Sequence, residues 1–340
     1  MNKTKIQYYF FYLSAIVVII GGLKMASQAA VIIFLSIFIA SILSPSMEYM
    51  RKARIPNSIS LAIILFFVTT LVLGVIYILE TSVKDFLSNM PFYENRIKEI
   101  TLSLVDWLGN RGVVINSSSI IEALDVGSLF GATATTIGNI GYFASKMLLV
   151  TIGVAFLLVE SSLFSKKVNI IFKSDKNSKK NFQLFTNTIQ KYFRIKTFTS
   201  LITGVFITVA LLAFDVEYPF LWGLLGFILN FIPVVGSIIA SVPPLLLSLM
   251  HYDVSIFLWL SLVYFIINVS ISNILEPAIM GEGLGLSPAM IFFSLIFWGW
   301  VLGPVGMFLA VPLTMTLKIA FDSNPNTRWI GVVLSSLKKS

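Results

Sequence analysis

Two stretches of this chain carry the same interrupted pattern. Residues 220–250 read FLWGLLGFILNFIPVVGSIIASVPPLLLSLM, and residues 289–318 read AMIFFSLIFWGWVLGPVGMFLAVPLTMTLK. Each is a long apolar run broken near its middle by proline and glycine, with a further proline beyond. The marks are Pro233, Gly236 and Pro243 in the first, and Gly303, Pro304, Gly306 and Pro312 in the second. An unbroken helix over the first run would span ~46 Å at ~1.5 Å per residue, against a hydrocarbon core of ~30 Å. Neither run therefore reads as one straight crossing. Paired, interrupted apolar segments in corresponding parts of a chain point to a solute site between them. Two kinked helical hairpins of purely structural meaning are the alternative, because Gly and Pro are common in membrane helices.

Composition supports a membrane setting. The 340 residues are 57% apolar and only 12% charged, against about 25% charged residues in a soluble domain. The formal net charge of +8 is concentrated in a few short segments, so it reads as topology and not as a nucleic-acid surface. The absence of cysteine excludes disulfides, thiolate metal sites and cysteine nucleophiles. His251 is the only histidine, so a two-histidine metal motif is impossible. No metal site, cofactor or catalytic residue is expected. Lys3 and Lys5 before the apolar run Tyr8–Gly22, with Ser27-Gln28-Ala29 after it, imitate a signal peptide. The next apolar run, Ala29–Leu43, follows at once, and the two read together as a first hairpin of spans.

The expected fold class is an all-α polytopic membrane protein with about eight membrane segments. These are 8–24, 28–44, 58–79, 137–160, 198–214, the broken segment 219–250, 254–275, and the broken segment 288–318. Lysine and arginine set the orientation. Lys3 and Lys5, then Arg51, Lys52 and Arg54, belong in the cytoplasm. So does 166–197, where nine basic residues from Lys166 to Lys196 face one acid, Asp175. In residues 80–136 acids outnumber bases, which places that segment outside. Within it, Ile97, Ile100, Leu104, Val105 and Leu108 recur at helical spacing, and Ser117–Leu124 reads as a further short helix. The parts are then the spans of 1–79, the extracytoplasmic segment 80–136, the span region 137–165, a basic cytoplasmic loop at 166–197, a transport core at 198–320, and an amphipathic cytoplasmic tail at 321–340.

If each broken segment enters and leaves on one side, "span plus hairpin" occurs twice with opposite orientation, at 198–250 and 254–318. That is an inverted-topology repeat of re-entrant hairpins whose tips meet near the midplane. Irregular backbone at that depth is tolerated only where protein buries it or it lines an aqueous cavity. Counting each segment as a single crossing leaves the tail on the same side, so charge does not choose between the two. Polar residues inside the apolar runs are the candidate solute path: Asn230 and Ser237 beside the first break, and Asn268 and Asn273 in span 254–275. Asn268, Ser272 and Glu276 are spaced by four and should share one helical face. Glu276 is the coupling candidate, with a helix-terminal role beside Pro277 as the alternative. For the asparagines and serines the alternative is interhelical glue, worth ~0.6 kcal/mol per contact.

On these residues the chain resembles the autoinducer-2 exporter family, or PerM-type permeases. The resemblance rests on N-F-I-P-V-V-G-S at Asn230–Ser237, E-P-A-I-M-G at Glu276–Gly281, G-L-S-P at Gly285–Pro288, and F-W-G-W-V-L-G-P-V-G-M-F-L-A-V-P-L at Phe297–Leu313. The N-terminal half matches in layout only. The resemblance implies a multi-pass plasma-membrane transporter of bacteria, homo-oligomeric in the bilayer. It implies export of a small furanosyl signalling molecule or, as in other members, sodium/proton exchange. Two functions therefore stand: a secondary exporter or permease of a small polar solute, and a cation/proton antiporter. No G-x-x-x-x-G-K-[ST] motif is present for direct nucleotide drive. An antiporter would use a deep carboxylate, and Asp215, Glu217, Asp253, Glu276 and Glu282 all lie at expected span ends. A rhomboid-like enzyme lacks its G-x-S-G motif, and a non-transporting scaffold has no need of two matched breaks.

Overall fold

A computed structural model describes residues 3–111, 140–171, 176–233, 235–252, 254–280 and 285–335, and all regular structure in them is helical. The N-terminal part comprises α1 (Lys3–Met25), α2 (Ser27–Lys52), α3 (Asn57–Ser88), α4 (Met90–Gly109) and α5 (Ile140–Ile171). A 38-residue helix follows, α6 (Lys176–Ala213). Next come α7 (Pro219–Leu229), α8 (Val235–His251) and α9 (Val254–Val269). A π-helical turn, Ser270–Leu275, joins α9 to α10 (Glu276–Met280). The chain closes with α11 (Pro288–Leu302), α12 (Pro304–Asp322) and α13 (Arg328–Leu334).

Among the described residues, five helical stretches are long and apolar enough to cross a membrane: Ser27–Lys52, Asn57–Ser88, Thr186–Ala213, Val254–Met280 and Pro304–Asp322. Their outward faces are apolar. Phe66, Phe67 and Leu73 of α3, Val205, Phe206 and Val209 of α6, and Phe265 and Ile266 of α9 are all exposed. Contiguous apolar surface of this kind is rare on a soluble monomer and matches a lipid-facing belt. The helices flanking the two breaks are shorter. At ~1.5 Å per residue, α7 is ~17 Å long and α11 ~23 Å, both less than the ~30 Å hydrocarbon thickness.

Three differences from the sequence expectation have physical causes. The basic segment 166–197 is no loop where it is described. Its described lysines lie on the end of α5 and on α6 between Lys176 and Lys196, because Lys, Gln, Phe and Ile carry no helix-breaking chemistry. The third span does not stop at residue 79: α3 runs to Ser88, and α4 resumes after Asn89. The shared face of Asn268, Ser272 and Glu276 is lost at the π turn, which leaves Ser272 and Asn273 exposed and turns Glu276 inward. The tail carries a short helix, α13, whereas Ser117–Leu124 falls outside the described residues.

Close packing around α6 builds the core. α7 returns antiparallel to α6: Thr208 lies against Gly223, Ile207 against Gly226, Gly204 against Phe227, and Ser200 against Asn230. A Cβ on Gly204 would sit 2.8 Å from the Gly223 carbonyl oxygen. Small residues at such contacts let two membrane helices approach backbone to backbone. The turn between them uses left-handed Asp215 (φ 54) and Tyr218 (φ 58) before Pro219 at the helix start. α9 and α10 also run antiparallel to α6. Tyr252, just before α9, donates to the Asp215 carbonyl at 2.6 Å, Glu276 meets Lys196, and Lys191 donates to the Met280 carbonyl at 2.8 Å.

Candidate functional site

Both breaks are tight helix–turn–helix corners. In the first, Asn230 caps α7, and Gly236 N–H donates to the Ile232 carbonyl at 3.2 Å. Gly236 is buried, and a Cβ there would overlap the Leu229 carbonyl. In the second, Gly303 serves both helices with φ 72 and ψ −156, a conformation open essentially only to glycine. Pro304 follows at the first position of α12, where a missing N–H costs nothing. A Cβ on Gly306 would overlap the Trp298 carbonyl and lie 2.7 Å from Leu302 Cβ. The two corners are thus held by the same device, a glycine in the first turn of the second helix with no room for a side chain. The left-handed torsion falls on Gly303, and neither Gly236 nor Gly306 has a positive φ.

The corners meet. The rings of Phe231, beside the first break, and Phe308, in the second turn of α12, have centroids 4.6 Å apart. Phe38 of α2 stands edge-on to both, at 6.0 and 5.1 Å, and to Phe193 of α6 at 4.2 Å. Phe227 of α7 completes the cluster against Phe231 at 5.8 Å. Offset and edge-on rings at these spacings attract beyond their buried area by ~0.5–1.5 kcal/mol per pair.

Neutral polar groups flank the rings. Asn230, 4% exposed, donates through Nδ2 to Ser200 Oγ at 3.0 Å. Trp298 donates through Nε1 to Thr314 Oγ1 at 3.0 Å. Pro233 and Ser237 are half-buried at the first corner, Pro243 is half-buried within α8, and Pro312 is buried within α12. Asn268 is half-buried: its Nδ2 donates to the Tyr264 carbonyl at 3.0 Å, and its Oδ1 is buried without a partner among the described residues. Asn273 is exposed on the outer side of the π turn and joins neither corner.

One charged pair lies deep in the bundle. Lys196 Nζ contacts Glu276 Oε2 at 2.9 Å and Oε1 at 3.1 Å, with side chains 5% and 17% exposed. Glu276 therefore occupies an inner face of the Val254–Met280 stretch and not an open helix end. The π turn makes this possible, since an inserted residue rotates everything after it by ~100°. Tyr192, one turn before Lys196, has a buried hydroxyl without a partner among the described residues. Lys196, Tyr192 and the phenylalanines were not singled out in the sequence. Lys196 had a signal, for Lys196, Thr199, Ser200 and Thr203 form a buried polar stripe at helical spacing.

A second polar cluster ties α4 to the far end of the core. Tyr93 donates to Glu217 Oε2 at 2.5 Å, and His251 Nε2 lies 3.5 Å from Glu217 Oε1. Arg96 Nε donates to the Met250 carbonyl at 3.1 Å. Burial first, then the bond to Glu217, pushes the Tyr93 phenol well above its ordinary range. Tyr252 is likewise pushed up, by burial and then by Asp215 and Glu217.

Spanning apolar helices and two broken segments closing on one point are the architecture of a multi-pass membrane transport protein. The AI-2E family transporter model matches residues 13–326, and the chain belongs to that family of bacterial membrane transporters. It is 32% identical over 318 residues to the AI-2 transport protein TqsA of Escherichia coli (strain K12), covering 94% of this chain and 92% of that one. It is 31% identical over 327 residues to a relative from Haemophilus influenzae, covering 94% and 93%. It is 26% identical over 315 residues to YhhT of Escherichia coli (strain K12), covering 93% and 90%.

Proposed function

We infer that the chain is a secondary transporter exporting a small polar solute, an AI-2-like signalling molecule or a related metabolite. The segments 219–250 and 288–318 are re-entrant hairpins of an inverted repeat among about eight membrane segments. They enter from opposite faces, and the solute path runs between their tips. Asn230, Pro233, Gly236, Ser237, Gly303, Pro304 and Gly306 lie along it, with Pro243, Pro312 and Asn268 behind them. The protein works as a homo-oligomer in the bilayer. The observation that carries this proposal is the 4.6 Å approach of Phe231 and Phe308, which brings together two corners more than seventy residues apart in sequence. The name of TqsA supports the solute class.

The Lys196–Glu276 pair favours a second reading, ion-coupled exchange with a proton or sodium ion. A carboxylate held by a buried ammonium can exchange that partner for a proton or cation and so link ion binding to helix position. Flux measurement in proteoliposomes, with a panel of small polar metabolites and imposed proton or sodium gradients, tests both. Solute accumulation against its own gradient supports the first. Sodium-driven alkalinisation or acidification without solute supports antiport. Glu276→Gln should flatten the pH dependence of whichever flux is coupled.

A further inference from the structure

We propose that Phe38, Phe193, Phe227, Phe231 and Phe308 form the closed gate of this transporter, and that the gate selects uncharged, hydroxylated solutes over ions. The inference rests on the transport reading above and deepens it by naming the barrier and the substrate class.

The rings come from four elements that a rocking motion of the repeats would separate. Phe38 belongs to α2, Phe193 to α6, Phe227 and Phe231 to α7 and its corner, and Phe308 to α12. Phe38 touches three of the other four rings. It is 6% exposed, with Phe193 and Phe231 at 4% each. This is a seal as well as a packing contact. A constriction walled by apolar rings stops ions by dewetting. An ion stripped of water needs a fixed counter-charge, whereas a neutral hydroxylated solute needs only hydrogen bonds. The wall offers the second and not the first. Asn230–Ser200 lies against Phe231 and supplies neutral donors and acceptors. The buried charge one turn from Phe193, Lys196 of α6, is neutralised by Glu276 at the start of α10, and Arg194 is exposed. Among the described residues no group of three acidic or histidine side chains could hold a cation. Ring faces also stack against the C–H faces of a small cyclic polyol, as they do against other rings.

The test is passive leak, which needs no driving ion and no knowledge of the natural cargo. The parent, Phe308→Ala, Phe38→Ala and the volume-keeping Phe308→Leu are reconstituted as monodisperse protein. Entry of radiolabelled D-ribose, lactate and sodium is then followed. The expected result is ribose entry at least tenfold faster in the Ala variants than in the parent, with Phe308→Leu between them. Lactate and sodium should stay at least tenfold slower than ribose. Ala variants as tight as the parent would overturn the gate. Lactate or sodium entering as fast as ribose would overturn the neutral selectivity. A parent that moves no solute under any gradient, while its Ala variants leak, would instead count against the transport reading and leave the barrier standing.

Discussion

Removing one member of the Lys196–Glu276 pair should be far more damaging than removing both. At the 2.9 Å separation and an effective dielectric constant of ~20, the gross attraction is ~6 kcal/mol. Desolvating two ions offsets most of it, so the intact pair adds little net stability. Lys196→Met leaves the Glu276 carboxylate 17% exposed and without its ammonium. A buried charge stranded in this way costs ~3–5 kcal/mol, two to three and a half powers of ten in the unfolding constant at ~1.4 kcal/mol per tenfold. Lys196→Met/Glu276→Met, which keeps volume and removes both charges, should return to within ~1 kcal/mol of the parent. The assay is reversible denaturant unfolding in bicelles for the four corners of the double-mutant cycle. A loss below ~1 kcal/mol in Lys196→Met would mean that water screens the pair. A double variant as unstable as the worse single would mean that the singles report lost packing.

Three further outcomes are expected. Gly236→Val and Gly306→Val should each abolish transport and destabilise by at least ~1–3 kcal/mol, because the new side chain meets backbone that must shift; normal flux in both, measured in proteoliposomes, would clear the corners of a role. A cysteine at Glu99, exposed on α4, should react with an impermeant maleimide in intact cells and one at Arg51 should not; labelling of the Arg51 position alone would invert the topology. The raised pKa of Tyr93 favours its neutral form in the folded state. Its contribution is fully present below the unfolded value of ~10 and is lost as pH rises above it. Protection of α4 amides, taken relative to intrinsic base-catalysed exchange, should therefore fall above pH ~10 in the parent, and that fall should be absent in Tyr93→Phe.

Much of the core was legible because its signals are local. Glycine and proline within apolar runs have few physical readings, and both corners fall at the positions they mark. The amphipathic period of 95–108 lies within α4. Charge asymmetry reports topology only, so it could not tell a basic loop from basic helix at 166–197. Phe38 had no local signal at all. It is one apolar residue in a span full of them, and only the docking of α2 against α6 and both corners distinguishes it.

The π turn shows most plainly where sequence periodicity stops. Spacing by four places Asn268, Ser272 and Glu276 together only if each residue advances the helix by ~100°. From Ser270 to Leu275 the chain takes i→i+5 bonding, and the phase slips by about one residue. Without the slip, Glu276 would follow Ser272 and Asn273 to the outer face, where a carboxylate in lipid is costly. With it, the serine and asparagine stay outside and the carboxylate reaches Lys196. No residue type between 270 and 275 dictates a π turn. The cause is tertiary: a wide turn forfeits part of its backbone geometry, and it holds because the charge pair and the Lys191–Met280 contact fix α10 against α6. The turn and the pair are therefore one structural unit. Lys196→Met/Glu276→Met, which retains every helix former, is expected to let the turn relax toward α-helix. Spin labels at Ser272 and Leu201, both exposed, should then report a changed separation, and an unchanged separation would separate the turn from the pair.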